Sequence, residues 1–343
     1  MIFALKIAIS LIPVLLFLLV LILMDSYKLV KPMLLILTII YGILAAFIAF
    51  LFQRRLAVSE QSLTLFWGPL SEELLKALLP LTLLKLKRVA FIVDSAIVGF
   101  AGGAGFALLE NLLYLLTVRE ANPLLWIVRG LGTAVMHGGT VAILMILSAY
   151  LSERFRTQKI SLFLPGLFSA LLIHIAFNMV LAKQIFPAEY VTAAQLIILP
   201  LLISVAFTQS EKSLRDWMEQ GLESSVRLLN AIRKGKFSET KAGRYVYSLR
   251  EHFPVEVVAD IFCYLQIYLD LTAQAKARLM LREQGFPVEP DPEVANRFSE
   301  LKNLAKNIGK TGQRAMAPLL QASPRDLWQL YYLEKKNINR KER

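Results

Sequence analysis

Long apolar stretches constrain this chain more than any other feature of the sequence. Seven runs approach the roughly 20 residues that a helix needs to cross bilayer hydrocarbon: 2–24, 31–53, 62–84, 91–117, 123–150, 161–182 and 191–207. Bilayer hydrocarbon offers no partners to backbone amides, and the short alternating strands of a membrane barrel do not occur in the pattern. The sequence therefore predicts an all-α, polytopic membrane helix bundle with about seven transmembrane helices.

The composition changes after residue 207, where charged residues begin to mix with apolar positions at helical spacing. This spacing predicts helices over 211–235, 255–283, 293–309 and 324–336. We therefore expect two domains, a transmembrane domain at 1–207 and a mostly helical cytoplasmic domain at 208–343.

The distribution of Lys and Arg predicts the orientation. The loops after the first, third and fifth predicted helices carry eight of these residues, against four in the opposite loops. By the positive-inside rule, the N-terminus lies outside and the C-terminal domain in the cytoplasm. We expect a multi-pass protein of a prokaryotic plasma membrane. The net charge of +12 suits contact with anionic lipid, and no motif suggests a nucleic-acid partner.

Charged residues inside membrane helices are costly, at about 2.5–3.5 kcal/mol each on insertion scales, and they mark functional sites. The third predicted helix carries Glu72, Glu73 and Lys76. Lys76 is at i+4 and i+3 from the two carboxylates, so it can reach either of them. A simple buried ion pair needs only one glutamate, and the second one therefore favours chemistry.

The next three predicted helices carry Glu110, then Arg129 and His137, then His174 with Asn178 one turn later. Glu110 has no basic residue within four positions, so it needs a partner from another helix, a proton or a metal. Two of the three histidines of the chain thus lie in mid-membrane with three glutamates. This concentration predicts a functional cluster.

A stripe of small residues runs along the fourth predicted helix, with Gly99 and Gly103 on one line and Ala101 and Gly105 on another. This spacing is typical of close helix packing in membranes. We interpret the stripe as packing rather than chemistry.

The order of these motifs resembles that of PrsW-family intramembrane proteases, which are themselves similar to CAAX prenyl proteases and bacteriocin-processing membrane proteins. The resemblance covers approximately residues 60–182 and rests on four motifs: Glu72-Glu73-x-x-Lys76, Phe106-Ala107-x-x-Glu110-Asn111, His137 and His174-x-x-x-Asn178.

The resemblance implies an intramembrane endopeptidase. It implies that Glu72 is the base for water, that Glu73 and Lys76 support it, and that His137 holds the water or a metal. His174 and Asn178 would face the substrate carbonyl. The expected catalytic residues are Glu72, Glu73, Glu110, His137, His174 and Asn178, and the expected supporting residues are Lys76, Asn111 and Arg129.

Two mechanisms remain open at this point. His137, His174 and Glu72 offer three ligands for Zn²⁺, although the sequence has no local His-Glu-x-x-His helix and the site would have to be assembled from separate helices. A metal-free glutamate mechanism serves equally well as acid and base. We favour the metal site.

The expected partners are the lipid bilayer and a membrane protein substrate, cut within or beside its membrane segment. The resemblance implies regulated proteolysis of a signalling protein such as an anti-sigma factor. A proton-coupled carrier is an alternative, although no inverted repeat supports it. A non-catalytic scaffold is another, and the oligomeric state stays open.

Overall fold

The structure is a computed structural model and describes residues 2–25, 30–89, 91–118, 122–155, 157–287, 291–320 and 333. Helices account for most of these residues and no strand occurs among them, which confirms the all-α prediction. The chain divides into two compact units, Met1–Glu211 and Lys212–Arg343. The predicted domain boundary after residue 207 lies close to the end of the first unit.

The helices of the first unit are α1 (Ile2–Met24), α2 (Pro32–Gln53), α3 (Glu60–Ser62), α4 (Gly68–Lys85), α5 (Ile92–Thr117), α6 (Pro123–Ile127), α7 (Ala134–Arg154), α8 (Leu164–Ala182) and the beginning of α9 (Ala188–Arg233). Two π-helical turns interrupt this series. Leu63–Trp67 joins α3 to α4, and Val128–Thr133 joins α6 to α7. Such turns are rare and often lie at functional sites.

Within the described residues, six helical segments are long and apolar enough to cross a membrane: α1, α2, α5, α6 together with α7, α8 and α9. The remaining predicted span, 62–84, is helical but too polar to qualify by hydropathy. It packs as α4 against α2, α5, α7 and α8. The chain is therefore a membrane helix bundle, and a seventh span stays a prediction.

Helix α5 lies at the centre of the bundle, with α1, α2, α4 and α7 packed around it. Its small residues allow backbones to touch, as expected for this spacing. A Cβ atom on Gly103 would overlap the carbonyl oxygen of His137 on α7, and one on Gly105 would overlap the carbonyl oxygen of Ile39 on α2. The small-residue stripe is thus a packing feature, and it brings the backbone of α7 against α5 at His137.

The second unit contains the remainder of α9, then α10 (Lys241–Ser248), α11 (Val255–Glu283) and α12 (Glu293–Leu320). Their apolar faces share a core that includes Val246 of α10, Ile261 of α11 and Ile308 of α12, with Leu229 of α9 packed against it. The predicted helices over 211–235, 255–283 and 293–309 correspond to α9, α11 and α12. The one predicted over 324–336 lies outside the described residues, except for Leu333.

Candidate active site

The site is assembled around the first turns of α4. Pro69 lies in the first turn of α4, directly after the first π-helical turn, and Glu72, Glu73 and Lys76 follow. The side chains of Glu73 and Lys76 are 1% and 0% exposed, whereas that of Glu72 is 14% exposed. The two adjacent glutamates therefore have different surroundings.

Glu73 is the centre of a hydrogen-bond network between three helices. Its Oε1 accepts a bond from Lys76 Nζ (2.6 Å) and one from Thr140 Oγ1 (3.2 Å), and it lies 2.8 Å from Nδ1 of His174. A carboxylate only accepts, so we assign the His174 ring proton to Nδ1 and the lone pair to Nε2. A carboxylate behind an imidazole commonly orients metal-binding histidines in this way. Glu73 therefore positions His174.

Lys76 links this network to the other histidine. Its Nζ lies 2.9 Å from Nδ1 of His137 and 4.7 Å from the centre of the Phe106 ring. As an ammonium, Lys76 donates to Nδ1 and leaves the ring proton on Nε2; as an amine, it accepts from Nδ1 and frees Nε2. The tautomer of His137 is therefore tied to the protonation of Lys76.

Glu110, which has no basic residue near it in the sequence, pairs with Arg129 from the second π-helical turn. Its Oε1 lies 3.0 Å from Nη2 of Arg129, and its Oε2 lies 2.6 Å from Nε2 of His137. Its side chain is 31% exposed, more than that of Glu72 or Glu73. Arg129 thus fixes one oxygen of Glu110 and leaves the other beside His137.

Asn111 holds this arginine in place. Its Oδ1 accepts a hydrogen bond from Nε of Arg129 (2.9 Å), and its Nδ2 donates to the backbone oxygens of Ser10 (2.8 Å) and Arg129 (3.2 Å). Ser10 lies on α1 and Arg129 in the second π-helical turn. Asn111 therefore connects α1 and this turn to the Glu110 end of the cluster.

Asn178 lies apart from the carboxylates and imidazoles. Its Nδ2 donates to the backbone oxygen of Thr64 (3.0 Å) in the first π-helical turn, at an exposed position. The bond ties α8 to the turn that precedes α4. The contact with the substrate carbonyl that the resemblance implies therefore stays a prediction.

Two polar residues join the site that the sequence patterns did not single out. Nε2 of Gln53, at the end of α2, donates to Oε1 of Glu72 (3.0 Å). Thr140 contacts Glu73 as described above. The position of Thr140 three residues after His137 was a signal for it, since i and i+3 lie on one helix face. Gln53 offered no such signal, because it looks like an ordinary polar end of an apolar helix.

Three side chains from α4, α7 and α8 form a possible metal site. Glu72, His137 and His174 each offer one ligand atom, and these atoms lie within 4.8 Å of one another. Oε2 of Glu72 is buried and has no hydrogen-bond partner, whereas Nε2 of His137 lies beside Oε2 of Glu110 (2.6 Å). Two imidazoles and a carboxylate are a known donor set for catalytic zinc with an open position. The residues fit a metal when Lys76 is an amine, because His137 then carries its ring proton on Nδ1 and its Nε2 is free.

An apolar cavity of about 600 Å³ lies among α7, α8 and α9. Its lining includes Thr140, Ile173, Phe177 and Leu199, but none of the three possible metal ligands. Among these lining residues, Thr140 also contacts the cluster, through Oε1 of Glu73. This cavity is therefore distinct from the possible metal site.

Comparison of the sequence with models of protein families identifies the family of this chain. The family described as PrsW family intramembrane metalloprotease matches residues 31–205, just over half of the chain. The chain belongs to the PrsW family. It is accordingly a membrane-embedded protease, and the matched range includes all the helices that carry the cluster. No curated protein and no solved structure matches the chain.

Family membership confirms the prediction of an intramembrane protease that rested on the resemblance. The match describes metalloproteases, which agrees with the cluster of Glu72, His137 and His174. The relation to CAAX prenyl proteases stays a prediction. Among the alternatives, the match favours the enzyme over the carrier and the scaffold.

Proposed function

We propose that this PrsW-family protease hydrolyses peptide bonds in membrane-embedded or membrane-proximal segments of protein substrates at a zinc centre of Glu72, His137 and His174. The observation that carries the proposal is the convergence of their ligand atoms within 4.8 Å, from three helices inside an apolar bundle. Carboxylates and imidazoles buried among membrane helices cost too much to be incidental.

The residues around this centre have complementary roles. A bound zinc ion polarises a carbonyl and activates a water molecule. Glu73 orients His174 through Nδ1, and Lys76 holds Glu73 and His137 together. This division accounts for the two adjacent glutamates, since Glu72 supplies a ligand and Glu73 a support.

Glu110 is the carboxylate that we propose as the proton carrier. Glu72 belongs to the ligand set, and Oε1 of Glu73 already has Lys76, Thr140 and His174 within hydrogen-bond distance. Glu110 is the most exposed of the three, and its Oε2 faces His137. A positioned carboxylate takes the proton of the attacking water and returns it to the leaving amine. This assignment differs from the resemblance, which implies Glu72 as the base.

The substrate that we propose is a single-span membrane protein, and the expected role is regulated proteolysis of a signalling protein such as an anti-sigma factor. The proposed location is a prokaryotic plasma membrane, with residues 208–343 in the cytoplasm. The distribution of Lys and Arg between loops supports this orientation.

The test is cleavage of a panel of single-span substrates by the purified full-length chain in proteoliposomes. We expect Glu72→Ala and His174→Ala to lose both cleavage and bound metal. We expect Glu110→Gln to lose cleavage and keep the metal. Glu60→Gln changes an exposed glutamate on α3 and should behave as wild type. Cleavage at the wild-type rate by Glu72→Ala or His174→Ala would contradict the proposal.

A further inference from the structure

The end of α2 contacts the beginning of α4 through the amide of Gln53. Its Nε2 lies 3.0 Å from Oε1 of Glu72 and 3.2 Å from Oγ of Ser71. Chemistry fixes the orientation of this amide, since a carboxylate oxygen can only accept. The hydroxyl of Ser71 donates to the backbone oxygen of Gly68 (2.9 Å), so it accepts from Gln53. Gln53 therefore donates to two neighbouring side chains of α4, Ser71 and Glu72.

The contact leaves the two oxygens of Glu72 in different states. Oε1 accepts from Gln53, whereas Oε2 is buried without a hydrogen-bond partner and lies 3.8 Å from Nε2 of His174. The terminal torsion of a glutamate is broad, so the carboxylate has no strong orientation of its own. A donor on one oxygen supplies that orientation and directs the other towards the histidines.

We propose that Gln53 is a positioning residue of the metal centre, which holds Glu72 by one oxygen so that the other is available as a ligand. The inference rests on the proposed function, in which Glu72 is a metal ligand. It adds α2 to the helices that build the centre. Gln53 thus serves Glu72 as Glu73 serves His174.

A second hydrogen bond between α2 and α4 provides a matched control. Oη of Tyr41 donates to the backbone oxygen of Leu75 (2.7 Å), a bond that involves neither glutamate. Tyr41→Phe removes one hydrogen bond between the same helices and leaves Glu72 untouched. A purely structural role for Gln53 would make the two substitutions equivalent.

The experiment measures Zn²⁺ affinity of the full-length protein by competition with a chromophoric chelator, for wild type, Gln53→Met and Tyr41→Phe. Methionine keeps the length of the side chain and removes the donor. We expect Gln53→Met to bind Zn²⁺ about 10–100-fold more weakly, the usual effect of losing a group that orients a ligand. Tyr41→Phe should retain the wild-type affinity, and the melting temperatures of both variants should confirm that they are folded.

Equal Zn²⁺ affinity in Gln53→Met and wild type would overturn the inference, as would an equal loss in both variants. Zn²⁺ binding by wild type no tighter than by Glu72→Ala would also overturn it, since Glu72 would then hold no metal for Gln53 to orient. A cleavage assay on the same variants distinguishes failure of the Gln53 inference from failure of the proposed function. A wild type that cleaves, with an unaffected Gln53→Met variant, refutes only the role of Gln53. A wild type that binds Zn²⁺ and cleaves no member of the panel contradicts only the proposed substrate class.

Discussion

Replacement of Lys76 by methionine tests the network around Glu73. Lys76 is fully buried, and its Nζ lies 2.6 Å from Oε1 of Glu73 and 2.9 Å from Nδ1 of His137; in the metal-free protein it is an ammonium that donates to both. Lys76→Met keeps most of the volume but leaves the carboxylate of Glu73 buried without its cation. Removing one partner of a buried ion pair costs about 3–5 kcal/mol, because the remaining charge is uncompensated. We expect a loss of stability in this range.

The double variant Lys76→Met, Glu73→Gln decides whether the pair is the cause. Glu73→Gln alone should also be destabilised, since it leaves a buried ammonium. The double variant has neither charge, so its stability should exceed that of either single variant. Its cleavage should nevertheless fall, because His174 has lost its carboxylate. Denaturant titration of purified, metal-free protein in mixed micelles measures all four forms. A Lys76→Met cost below about 1 kcal/mol, typical of an exposed pair, or additive losses in the double variant would refute this reasoning.

Further predictions concern the packing and the metal. Gly103→Ala should destabilise the fold by about 1–3 kcal/mol, as overpacking does, and reduce cleavage, because the new Cβ overlaps the backbone of His137. Gly102→Ala should be tolerated in the same unfolding and cleavage assays, because the nearest neighbour of its Cβ would be 3.4 Å away. Arg129→Met should lower cleavage and the free energy of unfolding, because Glu110 loses its cation; unchanged values would contradict that role. Chelation should abolish wild-type cleavage and added Zn²⁺ should restore it, whereas full activity after verified removal of the metal would contradict a metal centre.

The sequence predicted the bundle and most of the cluster, because both depend on residue type at helical spacing. Apolar runs fix the helices, and ionisable residues within them must meet in the interior. The spacing also showed that Lys76 can reach either adjacent glutamate. It could not show which one, since i+3 and i+4 are equivalent on an isolated helix. The choice of Glu73 depends on His174 and Thr140, which come from other helices.

The sequence patterns could not predict contacts between helices that are distant in the chain, because such contacts depend on how the helices pack. The pairing of Glu110 with Arg129 depends on how α5 lies against the second π-helical turn, and a π-helical turn has no simple sequence signature. Gln53 meets Glu72 only because α2 ends beside the beginning of α4. Asn178 shares a helix face with His174, as predicted, but its amide is taken by a backbone oxygen of the first π-helical turn.

In the proposed centre, Glu72, His137 and His174 hold one metal ion. X-ray absorption at the zinc edge of purified, zinc-loaded protein tests it most directly, because scattering from imidazole rings counts the histidine ligands. We predict two imidazoles in wild type and in His252→Ala, which changes the third histidine of the chain in the second unit. We predict fewer than two in His137→Ala or His174→Ala. A wild-type site without imidazole ligands, or one unchanged in both of these variants, would contradict the account.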